Sequence, residues 1–325
     1  MTKIGLISNP HSRRNRLGLA EVETMVRGRP DVVHRRLGVD ADVAILTDFA
    51  RREVDVLAIN GGDGTVQRLL TILLGELNLE QPPPIAVLAG GTTNLIAGDV
   101  GLPGSPARGL RRLLEITARG GLDRCVFRRH VMRVDHLDGV DPQFGMFLGA
   151  GVLAHAIGDH AARDTRKRLP GPLTLTLSVM RVLADGLRPQ DRRRILRSQS
   201  IRLGLDGGPA REARRLLVFV TTLDRLALGT RPYWNQGSAP LRFTSVAAAP
   251  PHLLCASVRV LAGGGQRLPA EHYGSGSVQR LDLGLTDRVA LDGELFPPAP
   301  RRLLKVTATR ELRFVSCRKG LHADG

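Results

Sequence analysis

The 325-residue chain is poor in aromatics, poor in cysteine and without any long apolar run. Aromatic residues make up 3% of it, and no strand carries a cluster on which successive bases could stack. That argues against a single-strand nucleic-acid binder. The three cysteines, Cys125, Cys255 and Cys317, are scattered and odd in number. They show neither metal-ligand spacing nor a disulfide framework, which fits a reducing, cytoplasmic setting. No run of about 18 apolar residues occurs, so no membrane-crossing helix is expected. The start, Met1-Thr2-Lys3-Ile4-Gly5-Leu6-Ile7-Ser8, is strand-like and unlike a signal peptide.

Negative charge is also scarce. Forty-seven Lys and Arg face 31 Asp and Glu, a formal net charge of +16. Nearly all of the positive charge is arginine, with Lys3, Lys167, Lys305 and Lys319 as the lysines. Such a balance fits nucleic acid, an anionic membrane surface, or a uniform coding bias toward arginine. The absence of a nucleic-acid recognition motif removes the first, so no nucleic-acid partner is expected.

The chain is organised around Asn60-Gly61-Gly62-Asp63-Gly64-Thr65. Before it, residues 54–59 form an apolar, β-branched run of strand length; after it, Val66, Leu69, Leu70, Leu73 and Leu74 recur at helical spacing. Glycines at a strand-to-helix junction let a ligand approach the main chain, and the first amides of the helix favour a phosphate. A carboxylate among phosphates, Asp63, is read as organising Mg2+ or a ribose; a plain turn capped by Asp63 is the alternative.

Two more loops follow strands in the same way: Asn9-Pro10-His11-Ser12 after residues 3–8, and Gly90-Gly91-Thr92-Thr93-Asn94 after residues 85–88. Helices are expected over 16–28, 41–52, 95–100 and 106–119. Strands alternating with helices predict a mostly parallel, doubly covered sheet, whose ligands bind beyond the carboxyl ends of the strands. From residue 122 the pattern changes. Strands are expected over 122–127, 131–136, 144–148, 200–205, 214–221, 241–246, 253–261, 277–283, 288–291, 303–309 and 312–316, with helices over 152–164 and 173–187. This predicts a β-sandwich. The domains are therefore 1–121 and 122–325, the last strands being free to return to the first domain.

Four motifs in this order resemble the diacylglycerol kinase catalytic domain family, which includes bacterial lipid kinases and sphingosine and ceramide kinases. They are Asn9-Pro10-His11-Ser12, Gly61-Gly62-Asp63-Gly64-Thr65, Gly91-Thr92-Thr93-Asn94 and Asp292-Gly293-Glu294. Taken alone, the last reads as a turn between strands. The resemblance implies an α/β nucleotide-binding domain of the NAD kinase and phosphofructokinase type followed by a β-sandwich. It also implies ATP- and Mg2+-dependent phosphorylation of a lipid hydroxyl, diacylglycerol-like, in phospholipid biosynthesis. It assigns ATP binding to Asn9, Pro10, Ser12, Asn60 to Thr65 and Gly91 to Asn94. Glu294 is the expected general base, and Asp292 assists it or, with Asp63, holds metal. A sphingoid base is the other acceptor, and a non-catalytic nucleotide- or lipid-binding regulator the other class. An apolar segment flanked by Arg166, Lys167 and Arg168 and by Arg192, Arg193 and Arg194 is the expected peripheral contact with an anionic membrane.

Overall fold

A computed structural model describes residues 1–38, 42–163, 198–250, 253–261 and 264–316. The expected helix over 173–187 and the basic residues Arg166 to Arg168 and Arg192 to Arg194 lie outside the described residues. The chain divides into two compact units, Met1–Arg129 with Glu311–Gly325, and His130–Arg310. The first boundary thus falls eight residues later than the sequence suggested, and the end of the chain belongs to the first unit.

In the first unit, β1 (Ile4–Ser8), β2 (Val32–Arg36), β3 (Val56–Gly61) and β4 (Ile85–Ala89) are parallel, in the order β4-β3-β1-β2. Every residue of β1 and β3 is buried, as both-face coverage requires. Side chains alternate between faces. Ile4, Leu6, Val56, Ala58, Ala86 and Leu88 join one core with Val22 and Val26 of α1 (Asn15–Val26) and Leu110 and Leu113 of α5 (Pro106–Ala118). On the other face the Phe49 ring of α2 (Asp42–Arg51) fills the space beside Gly5. α3 (Asp63–Thr71) continues into a π-helical turn over Ile72–Glu76, and α4 is the short Leu95–Val100. Helix α5 starts as its sequence dictates, with Pro106 in the first turn and Ser105 accepting the Arg108 amide at 3.3 Å.

The second unit is strand-rich and of sandwich type. β7 (Phe147–Gly151) pairs with β9 (Arg211–Thr221) and with β13 (Val289–Leu291), which forms a hairpin with β14 (Glu294–Phe296). The start of β9 pairs with β8 (Gln199–Leu205), which pairs with β12 (Arg280–Gly284). The end of β9 pairs with β10 (Leu241–Ala247), and β10 with β11 (Tyr273–Val278). One strand thus joins three neighbours within one continuous sheet. Leu148, Ala150, Val218 and Val220 meet Ile201, Leu281, Leu283 and Val306 in one buried core. β6 (Gln143–Gly145) and helix α6 (Val152–Arg163) complete this part.

Four expectations are corrected. Residues 253–261, read as a strand, form helix α7 (Leu253–Leu261). An apolar run of this length fits either state by composition. Its helical facing is plain in the structure, with Ala256 buried and Val258 61% exposed. Next, 122–127 and 131–136 are not two strands. A 3-10 turn at Asp123–Cys125 leads into one ten-residue strand, β5 (Val126–Asp135). Likewise 303–309 and 312–316 fuse into β15 (Leu304–Val315), while 277–283 divides at Gln279 between β11 and β12. Strand pairing, unlike helix periodicity, bridges polar interruptions when the neighbouring strand is long enough.

Candidate functional site

The three loops of the first unit lie at the carboxyl ends of β1, β3 and β4, which are adjacent in the sheet. A parallel sheet fixes that neighbourhood, because every strand ends at the same edge. Asn9 Nδ2 donates to Thr65 Oγ1 at 2.8 Å, and the Asn9 amide donates to the Asn60 carbonyl at 2.9 Å. The first loop is therefore tied to the hallmark loop by side chain and main chain. Within the first loop, Asn9 Oδ1 accepts the His11 amide at 2.9 Å. That is an Asx turn, which suits an Asn-Pro start.

The hallmark and second glycine loops touch backbone to backbone. A Cβ on Gly91 would sit 2.4 Å from Gly62 Cα, closer than any side chain permits. Asn94, at φ +52°, clasps its own loop: Oδ1 accepts the Gly91 amide at 2.7 Å and Nδ2 donates to the Gly91 carbonyl at 2.8 Å. Asp63 joins the two loops by hydrogen bonds. Its Oδ2 accepts the Leu95 amide and its Oδ1 the Ile96 amide, both at 2.9 Å. It caps α4 from the first turn of α3. Desolvation pushes its carboxyl above the usual range, against the pull of the Leu95, Ile96 and Asn94 amides.

These bonds decide where an anion can bind. The first amides of α4 are engaged by Asp63. Those of α1 donate to the Ser12 and Arg14 carbonyls. Helix α3 starts at Gly62 with no side-chain cap, so its first-turn amides are the ones left for a ligand oxygen. Gly62, Asp63 and Gly64 are half-buried, as are Pro10, Ser12, Thr92 and Thr93. These residues reach the surface of the site; Asn60 and Asn94 are buried beneath it.

Several expected ligand contacts therefore have another duty. Asn60 is fully buried, and its Nδ2 donates to Ser8 Oγ at 3.2 Å. His34 Nε2 lies 3.0 Å from the same hydroxyl. Burial pushes the His34 imidazole down from its ordinary pKa. Asn15, which the sequence did not single out, opens α1 from a buried position. Its Nδ2 donates to the Asn9 carbonyl at 2.8 Å and to the Asn60 carbonyl at 3.1 Å. Nothing in its sequence context separates it from an ordinary helix-start asparagine.

In the second unit, Asp292 and Gly293 form the two-residue turn between β13 and β14, with φ of +48° and +96°. Positive φ at both positions is the demand of a type I′ hairpin turn, and Asp-Gly meets it. Asp292 is 3% exposed. Its Oδ2 accepts the Met146 amide at 2.8 Å and its Oδ1 the Phe147 amide at 2.9 Å. Glu294 follows the turn and is exposed.

The expected metal ligands do not fit a protein-held Mg2+. Asp63 and Asp292 each have both carboxylate oxygens engaged by main-chain amides. Among the described residues no group of three His, Cys, Asp or Glu could hold an ion. No chemical step is derived through such a metal. His155 accepts a structural place as well, with Nδ1 3.0 Å from the Gly151 carbonyl.

Residues 3–121 match the family model of the diacylglycerol kinase catalytic domain. No curated protein matches the chain in sequence. A solved diacylglycerol kinase from Bacillus anthracis str. Sterne is 17% identical, with 96% of each chain covered and a TM-score of 0.60. The yeast NADH kinase, solved with NADH, is 11% identical, with 99% of this chain and 85% of that one covered and a TM-score of 0.52. At these identities the two structures show a shared fold. The family match lies within the first unit, over residues 3–121.

Proposed function

We propose that a chain carrying the diacylglycerol kinase catalytic domain over residues 3–121 is an ATP-dependent lipid kinase, with a diacylglycerol-like alcohol as its acceptor. The observation that carries this reading is the uncapped start of α3 among three interlocked loops. Phosphoryl transfer asks little covalent chemistry of a protein; it asks for positioning and charge stabilisation. The amides of Gly62 to Thr65 supply the second. The bonds from Asn9, Asn15, Asn94 and Asp63 supply the first, by holding the loops in one arrangement before a ligand arrives.

In the reaction, the acceptor oxygen bonds to the γ-phosphorus of ATP, the bond from that phosphorus to the ADP oxygen breaks, and the hydroxyl proton leaves to a base. Glu294 is that base in this reading. It is an exposed carboxylate directly after a rigid turn, free to approach a proton to about 2.6–3.2 Å. The product is a lipid phosphomonoester, which places the enzyme in phospholipid synthesis at a membrane surface. The net charge of +16 favours an anionic surface and supports a peripheral membrane role. No helix among the described residues is long and apolar enough to cross the membrane.

The fold shared with an NADH kinase supports one second reading, in which the acceptor hydroxyl belongs to a dinucleotide. Both are tested by offering labelled ATP with Mg2+ to diacylglycerol, sphingosine and NADH, the lipids in mixed micelles, with wild-type protein and Glu294→Gln. Transfer to diacylglycerol that falls by about 10²–10⁴-fold in the variant is the expected result. Labelled NADH with unlabelled lipid would establish the second reading. Transfer to none of the three would leave a regulator that binds nucleotide without turnover.

A further inference from the structure

The hairpin that carries Glu294 is too small to hold itself. Strands β13 and β14 have three residues each, and β13 joins β7 through Ala290 and Leu291. A hairpin of this size is marginal by itself in water. A further anchorage lies beyond the ladder, on the peptide groups of Met146 and Phe147.

Met146 stands between β6 and β7 and is fully buried. Its amide donates to Asp292 Oδ2 at 2.8 Å, and the Phe147 amide donates to Asp292 Oδ1 at 2.9 Å. The Asp292 amide returns a bond to the Phe147 carbonyl at 2.9 Å. On its other side, the Met146 carbonyl accepts the Thr221 hydroxyl at 2.7 Å and the Thr222 amide at 3.1 Å. Thr221 Oγ1 in turn accepts the Leu223 amide at 3.0 Å. Gly145 completes the arrangement by its missing side chain. A Cβ there would lie 2.4 Å from Asp292 Oδ2 and 2.6 Å from Leu291 Cδ1.

We infer that Thr221, Asp292 and Gly145 are positioning residues that clamp the Met146–Phe147 backbone and thereby fix where Glu294 stands. The inference rests on the reading of Glu294 as the base. The physical argument is one of leverage. Asp292 is both the anchor and the first residue of the two-residue turn, so any shift of Met146 passes through one Cα to Gly293 and Glu294. Thr221 acts at one remove, because it holds the carbonyl of the same peptide whose N–H, that of Phe147, Asp292 grips. A valine in its place keeps the shape and the β-branched strand preference, but leaves the Met146 carbonyl with the Thr222 amide and the Leu223 amide without its hydroxyl acceptor.

The test compares Thr221→Val, Thr221→Ser, Asp292→Asn, Gly145→Ala and Glu294→Gln in phosphoryl transfer from labelled ATP to diacylglycerol in mixed micelles. Expected is a fall in kcat of roughly tenfold to a hundredfold in Thr221→Val and Asp292→Asn, the scale of a small misplacement of a reacting group. The KM for ATP stays at the wild-type value, and the acid limb of the kcat–pH profile moves. Thr221→Ser restores both turnover and profile. A fall in Thr221→Val with an unmoved profile, or one that serine does not rescue, means a structural role only and overturns the inference.

Amide hydrogen exchange over residues 143–150 and 289–296 is read on the protein alone, so it decides the clamp whichever acceptor the enzyme uses. Faster exchange in both segments is expected in Thr221→Val, Asp292→Asn and Gly145→Ala, and wild-type exchange in Asp292→Asn would refute the clamp. Undiminished transfer by Glu294→Gln would instead overturn the base reading, and with it the catalytic purpose of the clamp.

Discussion

Replacing Asp63 by alanine separates two accounts of the hallmark acid. If it acts on ligand alone, the variant folds as the wild type does and loses only activity. The structure gives it a second duty, the cap on α4, with one carboxylate oxygen on the Leu95 amide and one on the Ile96 amide at 2.9 Å. Loss of a capping side chain costs about 0.5–2 kcal/mol. Leaving buried donors without an acceptor costs about 1–3 kcal/mol, and both Leu95 and Ile96 are buried. Against these stands the desolvation of the carboxylate, which its raised pKa reports and which the alanine variant escapes. The net expectation near neutral pH is a loss of about 2 kcal/mol, or about 6 °C in the unfolding of the first unit.

The pH dependence carries a sign. A carboxyl whose folded pKa is raised contributes stability that is complete below its unfolded value, near 4, and that is lost as pH rises through the folded value. The deficit of Asp63→Ala is therefore widest in mild acid and narrows toward neutral pH. The assay is urea or thermal unfolding from pH 4 to 8, with amide exchange at Leu95 and Ile96. Wild-type stability together with wild-type protection of those two amides would refute the capping argument.

Two further outcomes follow from the same unit. Gly91→Ala drives a Cβ to 2.4 Å from Gly62 Cα, so the two glycine loops must part. A loss of about 1–3 kcal/mol by urea unfolding is expected, with weakened ATP binding by calorimetry, and unaltered binding would show that the close approach is dispensable. His34 has its pKa depressed by burial beside Ser8, so its contribution is complete above the unfolded value near 6.5 and is lost as pH falls through the folded value. Unfolding measured from pH 7 down to 5 should show a slope in the wild type that His34→Gln flattens; equal slopes would mean that His34 titrates alike in both states. The paired carboxylates of Glu23, Asp31 and Asp48, held below their usual range by Arg36, Arg29 and Arg52, lose their contributions at more acid pH, in both proteins alike.

Two acids that look alike in sequence turn out to work alike in structure. Asp63 and Asp292 each stand beside a glycine, one at a helix start and one in a tight turn, and each closes two main-chain amides from a distant segment. Such a carboxyl group fastens one loop to another through two hydrogen bonds to main-chain amides. Binding loops need that rigidity, since a loop that must order itself on binding loses affinity to entropy. The motif acids of this chain thus act first on the protein's own backbone.

How much of this was legible beforehand depended on range. The first unit was read nearly element by element, because its strands are buried on both faces and its helices follow at a 3.6-residue period. Helix α5 is announced by Ser105 and Pro106, and the turn at Asp292-Gly293 by a dipeptide that suits two positive φ angles. The sequence also determined that three loops end on one sheet edge, since parallel strands with helical crossovers leave no other choice.

Tertiary structure alone decided what those loops do with their polar groups. That Asp63 caps a helix 32 residues away, and that Asn60 is buried on Ser8, depends on which strands lie side by side. Local sequence cannot carry that information. It decided likewise that residues 253–261 are a helix and that Thr221 meets Met146 across 75 residues. A side chain's hydrogen-bonding capacity is written in its identity, but its partner is set by packing, and packing is a property of the whole chain.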